Sequence, residues 1–167
     1  SQDEYDITVI SRPSGIESEN GIKYFGIPWT KVELFFHRIK EKVTWKNPFR
    51  YIAKFQNVFS YAARLGQMVD DFDIVCIHNE PNLLFFLNKK PGQKIVLHMH
   101  NDHLCAKLFR PFYRAALKKV DSVICVSDYI RASALRFYPE YADKFTVVFN
   151  STDTNEFRPY PGEDRAQ

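Results

Sequence analysis

Four of the five histidines in this 167-residue chain stand where short apolar runs stop, and three of them fall within one heptapeptide, Leu97 to His103 (LHMHNDH). Imidazole nitrogen and carboxylate oxygen are proper zinc ligands. His98, His100, Asp102 and His103, spaced HxHxDH, therefore make a metal-dependent hydrolase one reading of the chain. In an extended strand His98 and His100 point to the same face, so a core role for one restricts a ligand role for the other, and His98 is equally readable as a hydrogen-bonded core histidine. Upstream, His78, Asn79 and Glu80 close another apolar run. Downstream, Ser127 and Asn150 are small polar residues ending two more. Serine after a strand is a favoured helix N-cap, and the backbone N–H groups it helps organise suit an anion such as a diphosphate.

The elements that must carry these side chains alternate between strand and helix. Strands are expected over 5–11, 21–28, 73–78, 94–99, 122–126 and 145–149, and helices over 48–69, 81–87, 104–119 and 128–137. The continuous apolar runs IVCI, KIVL, SVICV and FTVVF fit strands buried on both sides, as in a parallel sheet. Strands separated by helices imply right-handed crossovers. The expected fold is α/β, a Rossmann-like, mostly parallel sheet with helices on both faces. In such a sheet ligands bind beyond the carboxyl ends of the strands, where His78, His100, Ser127 and Asn150 would gather. The helix before HxHxDH, and the lack of any histidine after His103, argue against the binuclear hydrolases of the metallo-β-lactamase fold, which that string resembles.

Composition narrows the function classes. With 45% hydrophobic and 16% aromatic residues the chain is a packed globule, not a disordered tail. No apolar run reaches the ~20 residues of a membrane span, and no signal-peptide pattern opens the chain, so a cytoplasmic domain is expected. Asn150-Ser151-Thr152 matches a glycosylation sequon, read as chance in that compartment. Cys76, Cys105 and Cys125 share no CxxC spacing and are expected to be buried thiols. A net charge of +3 is too small to imply nucleic acid. The charge is uneven, however. Residues 31–64 carry eight basic residues, interleaved with aromatics, against Glu33 and Glu41. That segment reads as an amphipathic helix with a solvated basic face, or as a peripheral contact with anionic lipid at the inner membrane face. Residues 160–167 read as a polar linker or tail after a domain of residues 1–159.

The runs VDSVICVSDYIR (120–131) and FTVVFNSTDTNEFRP (145–159) resemble the signature closing the N-terminal domain of retaining glycosyltransferases with the GT-B fold, family 4. Asn150, Asp153, Phe157 and Pro159 keep the family's frame, while Ser151 and Thr152 replace a glycine and an apolar residue. Glycine permits a left-handed backbone or close ligand approach that serine resists, which weakens nucleotide contact at that turn. The strand ending in His100 resembles the family strand whose histidine faces the interdomain cleft. The resemblance implies His100 beside the donor sugar as the catalytic residue, Asn101 and Asp102 on its loop, and His78, Asn79 and Glu80 toward the acceptor. Ser127 and Asn150 complete the substrate-binding set.

By that resemblance the parent enzyme moves a sugar from a UDP- or GDP-linked donor to a glycan or lipid-linked hydroxyl acceptor, with retention, in surface-polysaccharide, cell-wall or spore-coat assembly. No metal or other cofactor is implied. A non-catalytic Rossmann-like binding module is a third reading. The likeness covers 73–159 well and 5–28 loosely, as the family's second and third strands, without its first strand-helix unit or its C-terminal domain. These 167 residues alone are therefore expected to turn over nothing. Five or so apolar side chains of a central strand, at roughly 1.5–3 kcal/mol each, are worth about 10 kcal/mol, comparable with a domain's net stability. Residues 5–11 are accordingly expected to move into the sheet's centre, or a second chain to supply a strand in a homo-oligomer.

Overall fold

The computed structural model describes residues 5–13, 18–19, 21–42, 44 and 48–154. The fold is mixed α/β and Rossmann-like. Strands β1 (Thr8–Ser11), β2 (Ser18–Glu19) and β3 (Ile22–Gly26) form one sheet, with β3 in the middle, parallel to β1 and antiparallel to β2. Helices α1 (Lys31–Lys42) and α2 (Pro48–Met68) lead to β4 (Ile74–His78). Then follow β5 (Lys94–Met99), α3 (Arg110–Leu117), β6 (Ser122–Cys125), α4 (Asp128–Leu135) and β7 (Phe145–Val147). Strands β4 to β7 lie side by side in chain order, all parallel, so the side chains after each strand share one carboxyl rim. No helix among the described residues is long and apolar enough to cross a membrane.

Register decides which face of the second sheet is core. Val75 pairs with Ile95, Ile77 with Leu97, Leu97 with Val123, Met99 with Cys125 and Val123 with Phe145. All of these are buried, and they pack with Leu65 of α2, Val69 just after it, Leu117 of α3 and Ile130 of α4 in one cluster. The alternate residues form the opposite face, where Ile74 and Cys76 are exposed and Val96 and Ile124 half-buried. Of the three thiols expected to be buried, only Cys125 is fully so.

Several expectations need correction. Strand β1 does not enter the centre of the larger sheet. Its partner is β3, fixed by Lys23 N–H to Ile7 O at 3.1 Å and Ile27 N–H to Ser11 O at 2.7 Å. The helix expected over 104–119 begins only at Arg110, after two short 3-10 turns. Pro111 has no N–H to donate and is tolerated only in a first turn. On α2 only part of the expected apolar face is core. Ala62 and Leu65 are buried, whereas Ile52 and Phe59 are exposed. Residues 160–167 lie outside the described residues.

Helix α1 lies within the stretch 31–64 read as one amphipathic helix, ends at Lys42 before α2 begins, and is fixed by an N-terminal knot. Thr30 and Glu33 cap reciprocally: Glu33 N–H donates to Thr30 Oγ1 at 3.1 Å and Thr30 N–H to Glu33 Oε2 at 2.7 Å. The Glu33 carboxylate is fully buried and also takes Arg12 from the end of β1 at 3.0 Å and Arg64 from α2 at 2.7 Å. The Arg12 guanidinium lies over Trp29 and Tyr61, 3.9 and 4.5 Å from the ring centroids. One carboxylate thus joins the first sheet to both helices. Gly26, opposite Ser11, allows the closest approach: a Cβ there would sit 2.9 Å from the Pro13 backbone.

Candidate functional site

The register of β4 on β5 builds the centre of the site. His78 pairs with His98, and His100 lies two residues further along, so all three imidazoles project from one face. Their ring centroids are 4.9 Å (His78–His98), 4.4 Å (His98–His100) and 5.8 Å (His78–His100) apart. His78 and His100 are exposed and His98 is half-buried. The His98 Nε2 is occluded with no hydrogen-bond partner. Burial, followed by the neighbouring His100 and His78, holds the His98 pKa below the usual 6.5, which favours a neutral ring. Cys76 Sγ lies 3.6 Å from His78 Nε2.

Asn79 organises the rim beside this cluster. Its φ of 55° is left-handed, a conformation asparagine tolerates better than most residues. Its N–H donates to His98 O at 2.8 Å, and its side-chain oxygen accepts the His100 N–H at 3.2 Å. Its carbonyl lies 3.3 Å from His103 Nδ1. Asn101 accepts the His103 N–H at 3.0 Å, and Asp102 stands exposed in the same turn. Glu80 bonds Asn82, which in turn accepts the Tyr113 hydroxyl at 2.9 Å.

Ser127 is the N-cap of α4, accepting the Ile130 N–H at 3.3 Å. Its hydroxyl therefore already has a structural task, and any contact with an anion would come from the N–H groups it arranges. Asn150 is exposed, three residues past the end of β7. Of the family frame expected around it, Asp153 is described, while Phe157 and Pro159 fall outside the described residues. The parallel order brings His78, His100, Ser127 and Asn150 to the carboxyl ends of four adjacent strands.

The binuclear metal reading is corrected here. Among the described residues, the one group of three or more ligands close enough to share an ion is His78, His98 and His100, whose donor atoms lie within 4.8 Å of one another. Asp102 and His103 do not join it. The HxHxDH string turns aside after His100 because His103 is held to Asn79 and Asn101.

Two features escaped the sequence reading. The Thr30-x-x-Glu33 capping box is a local signal that was available to it. The second is a cavity of about 340 Å³ beside the loop that follows His100, lined by Val58, Phe85, Phe86, Cys105, Ala106 and Tyr113 with Asp102 and His103. It is assembled from four separate stretches of chain, and no spacing announces it.

The model of Glycosyltransferase Family 4 matches residues 1–156. YtcC of Bacillus subtilis (strain 168), named as a candidate glycosyltransferase, is 29% identical over 90 residues, which are 53% of this chain and 22% of that protein. The crystal structure of Anabaena Alr3699/HepE in complex with UDP superposes with a TM-score of 0.52 at 14% identity, over 94% of this chain and 47% of that one. The chain thus spans less than half the length of either relative, and the second likeness concerns fold.

Proposed function

The chain belongs to glycosyltransferase family 4, and from that premise we propose that it forms the acceptor-side wall of a cleft in which a sugar passes, with retention, from a nucleoside-diphosphate donor to a hydroxyl acceptor. The observation that carries this reading is the convergence of His78, His98 and His100 on the carboxyl rim of a parallel sheet, the edge where open α/β sheets hold ligands. His100 is the catalytic residue, hydrogen-bonding the donor sugar. His78 and Glu80 face the acceptor, with Asn79, Asn101 and Asp102 shaping the loop. Ser127 and Asn150 lie toward the diphosphate, through the cap of α4 and the turn after β7. The UDP in the HepE structure supports a nucleotide-sugar donor, UDP- or GDP-linked. The pathway is assembly of a surface polysaccharide, cell wall or spore coat.

The full-length enzyme, given UDP- and GDP-sugars, is expected to yield a glycoside whose anomeric configuration, read by NMR, matches the donor. Inversion would overturn retention. Residues 1–167 alone are expected to hydrolyse no nucleotide sugar above background.

Peripheral membrane contact is part of the same proposal. On α1, Val32, Leu34 and Phe35 are 53, 39 and 60% exposed beside exposed Lys31, Arg38 and Lys42, so one short helix offers both burial and counter-charge. Arg64 is not part of that face, being bound to Glu33. Sedimentation with phosphatidylglycerol vesicles, weakened by salt and by Phe35→Glu, is the expected result. Equal binding to phosphatidylcholine vesicles would sink it.

A further inference from the structure

The cavity beside the loop that follows His100 has walls of carbon and a polar mouth. Phe85 stacks on Tyr113 with centroids 5.4 Å apart, Phe109 lies 6.1 Å from Tyr113, and Phe86 carries Phe59 edge-on at 4.8 Å. The polar groups in the wall are engaged with one another. The Tyr113 hydroxyl donates to Asn82, and Asn82 donates to Glu80. Burial, then the nearby Glu80, raises the Tyr113 pKa to about 12, so this phenol stays protonated and in that bond. Burial, then the Asp102 carboxylate, raises the Cys105 pKa, leaving a neutral thiol that packs as a small apolar group. What remains polar and exposed is Asp102 and His103, on the loop that follows His100.

A volume of about 340 Å³ is that of a small-molecule site, and an apolar cavity is poorly hydrated and takes up hydrocarbon. Resting on the glycosyltransferase reading, we propose that this cavity binds an aliphatic chain of the acceptor, whose hydroxyl-bearing head emerges past Asp102 and His103 toward His100. The acceptor is therefore an amphipathic glycoside or lipid-linked sugar. The aromatic floor selects its apolar part, and the exposed carboxylate and imidazole meet its hydroxyls.

The test uses n-alkyl β-D-glucosides from methyl to octyl, below their micellar concentrations, titrated calorimetrically into the chain without donor. Affinity is expected to rise about fourfold per added methylene, the worth of one buried CH₂, and to level off once the cavity is full. Ala106→Trp and, independently, Val58→Trp fill the space from two separate stretches of its lining and should flatten that rise without lowering the melting temperature. Ala106 is exposed, so its substitution leaves the core untouched. Affinity independent of chain length, a rise unaffected by both substitutions, or n-alkanols binding where the glucosides do not would each overturn the proposal. None of these outcomes depends on sugar transfer. A chain that follows the length rule within an enzyme that transfers no sugar would keep this site and refute the glycosyltransferase reading instead.

Discussion

Glu33→Ala is expected to destabilise the chain by about 3 kcal/mol, read from urea or thermal unfolding, because removing one member of a buried ion pair strands its partners. The effect compounds three losses. Arg12 and Arg64 both lose their carboxylate, α1 loses the glutamate of its capping box, and a fully buried side chain leaves a void. The two arginines keep a quarter to a third of their side-chain surface in water, which holds the loss near the low end for a buried pair. Glu33→Gln, of the same volume, should cost less. A loss below that of an ordinary surface substitution for Glu33→Ala would show that the knot does not hold the first sheet to the two helices.

Acid separates the charge of Glu33 from its packing. Burial by itself raises the pKa of this carboxyl, but the Arg12 hydrogen bond, the Thr30 N–H, the Arg12 charge and Arg64 outweigh it and bring the value down from 4.5 to about 2. A lowered folded-state pKa means that the unfolded chain binds the proton first, so stability rises with pH across that interval. The contribution is whole above pH 4.5 and disappears as pH falls toward 2. Glu33→Gln should remove this part of the acid sensitivity while leaving the profile above pH 5 unchanged. Variant and parent losing stability in parallel between pH 4.5 and 2 would contradict the assignment.

The larger sheet was legible in the sequence for a physical reason. Strands such as 94–99, buried on one face and half-covered on the other, are continuous apolar runs, and the polar residues that stop them mark the rim. Helix α2 was legible from its three-and-four spacing and begins at Pro48, as expected. Helix α1 was legible only as part of one amphipathic stretch over 31–64, because Val32, Leu34, Phe35, Phe36 and Ile39 leave no clean apolar stripe of their own and three of them are exposed. Its capping box marks where it starts. The split into two sheets was hidden because β1 could satisfy its backbone against either β3 or β4, and that choice rests on non-local pairing. The histidine cluster was half legible. The HxH spacing gives His98 and His100 a common face, but bringing His78 beside them depends on the β4–β5 register, which no local pattern encodes.

That cluster governs the second large effect. In the full-length enzyme His100→Ala is expected to lower kcat by about a hundredfold, the typical loss when one preorganised hydrogen-bond donor is taken from a developing charge. The donor KM should change far less, since such a bond strengthens only on the way to the transition state. Folding should be spared, because the His100 ring is exposed and its backbone N–H, held by the Asn79 side chain, survives the substitution. His100→Gln retains a donor of similar reach and should recover part of the rate. Asn79→Ala makes the complementary test. It removes the acceptor that pins the His100 backbone and leaves an alanine in left-handed conformation, so it should lower kcat and the melting temperature together. A full kcat in His100→Ala, or an equal loss of stability in both variants, would reduce His100 to a rim residue with no part in transfer.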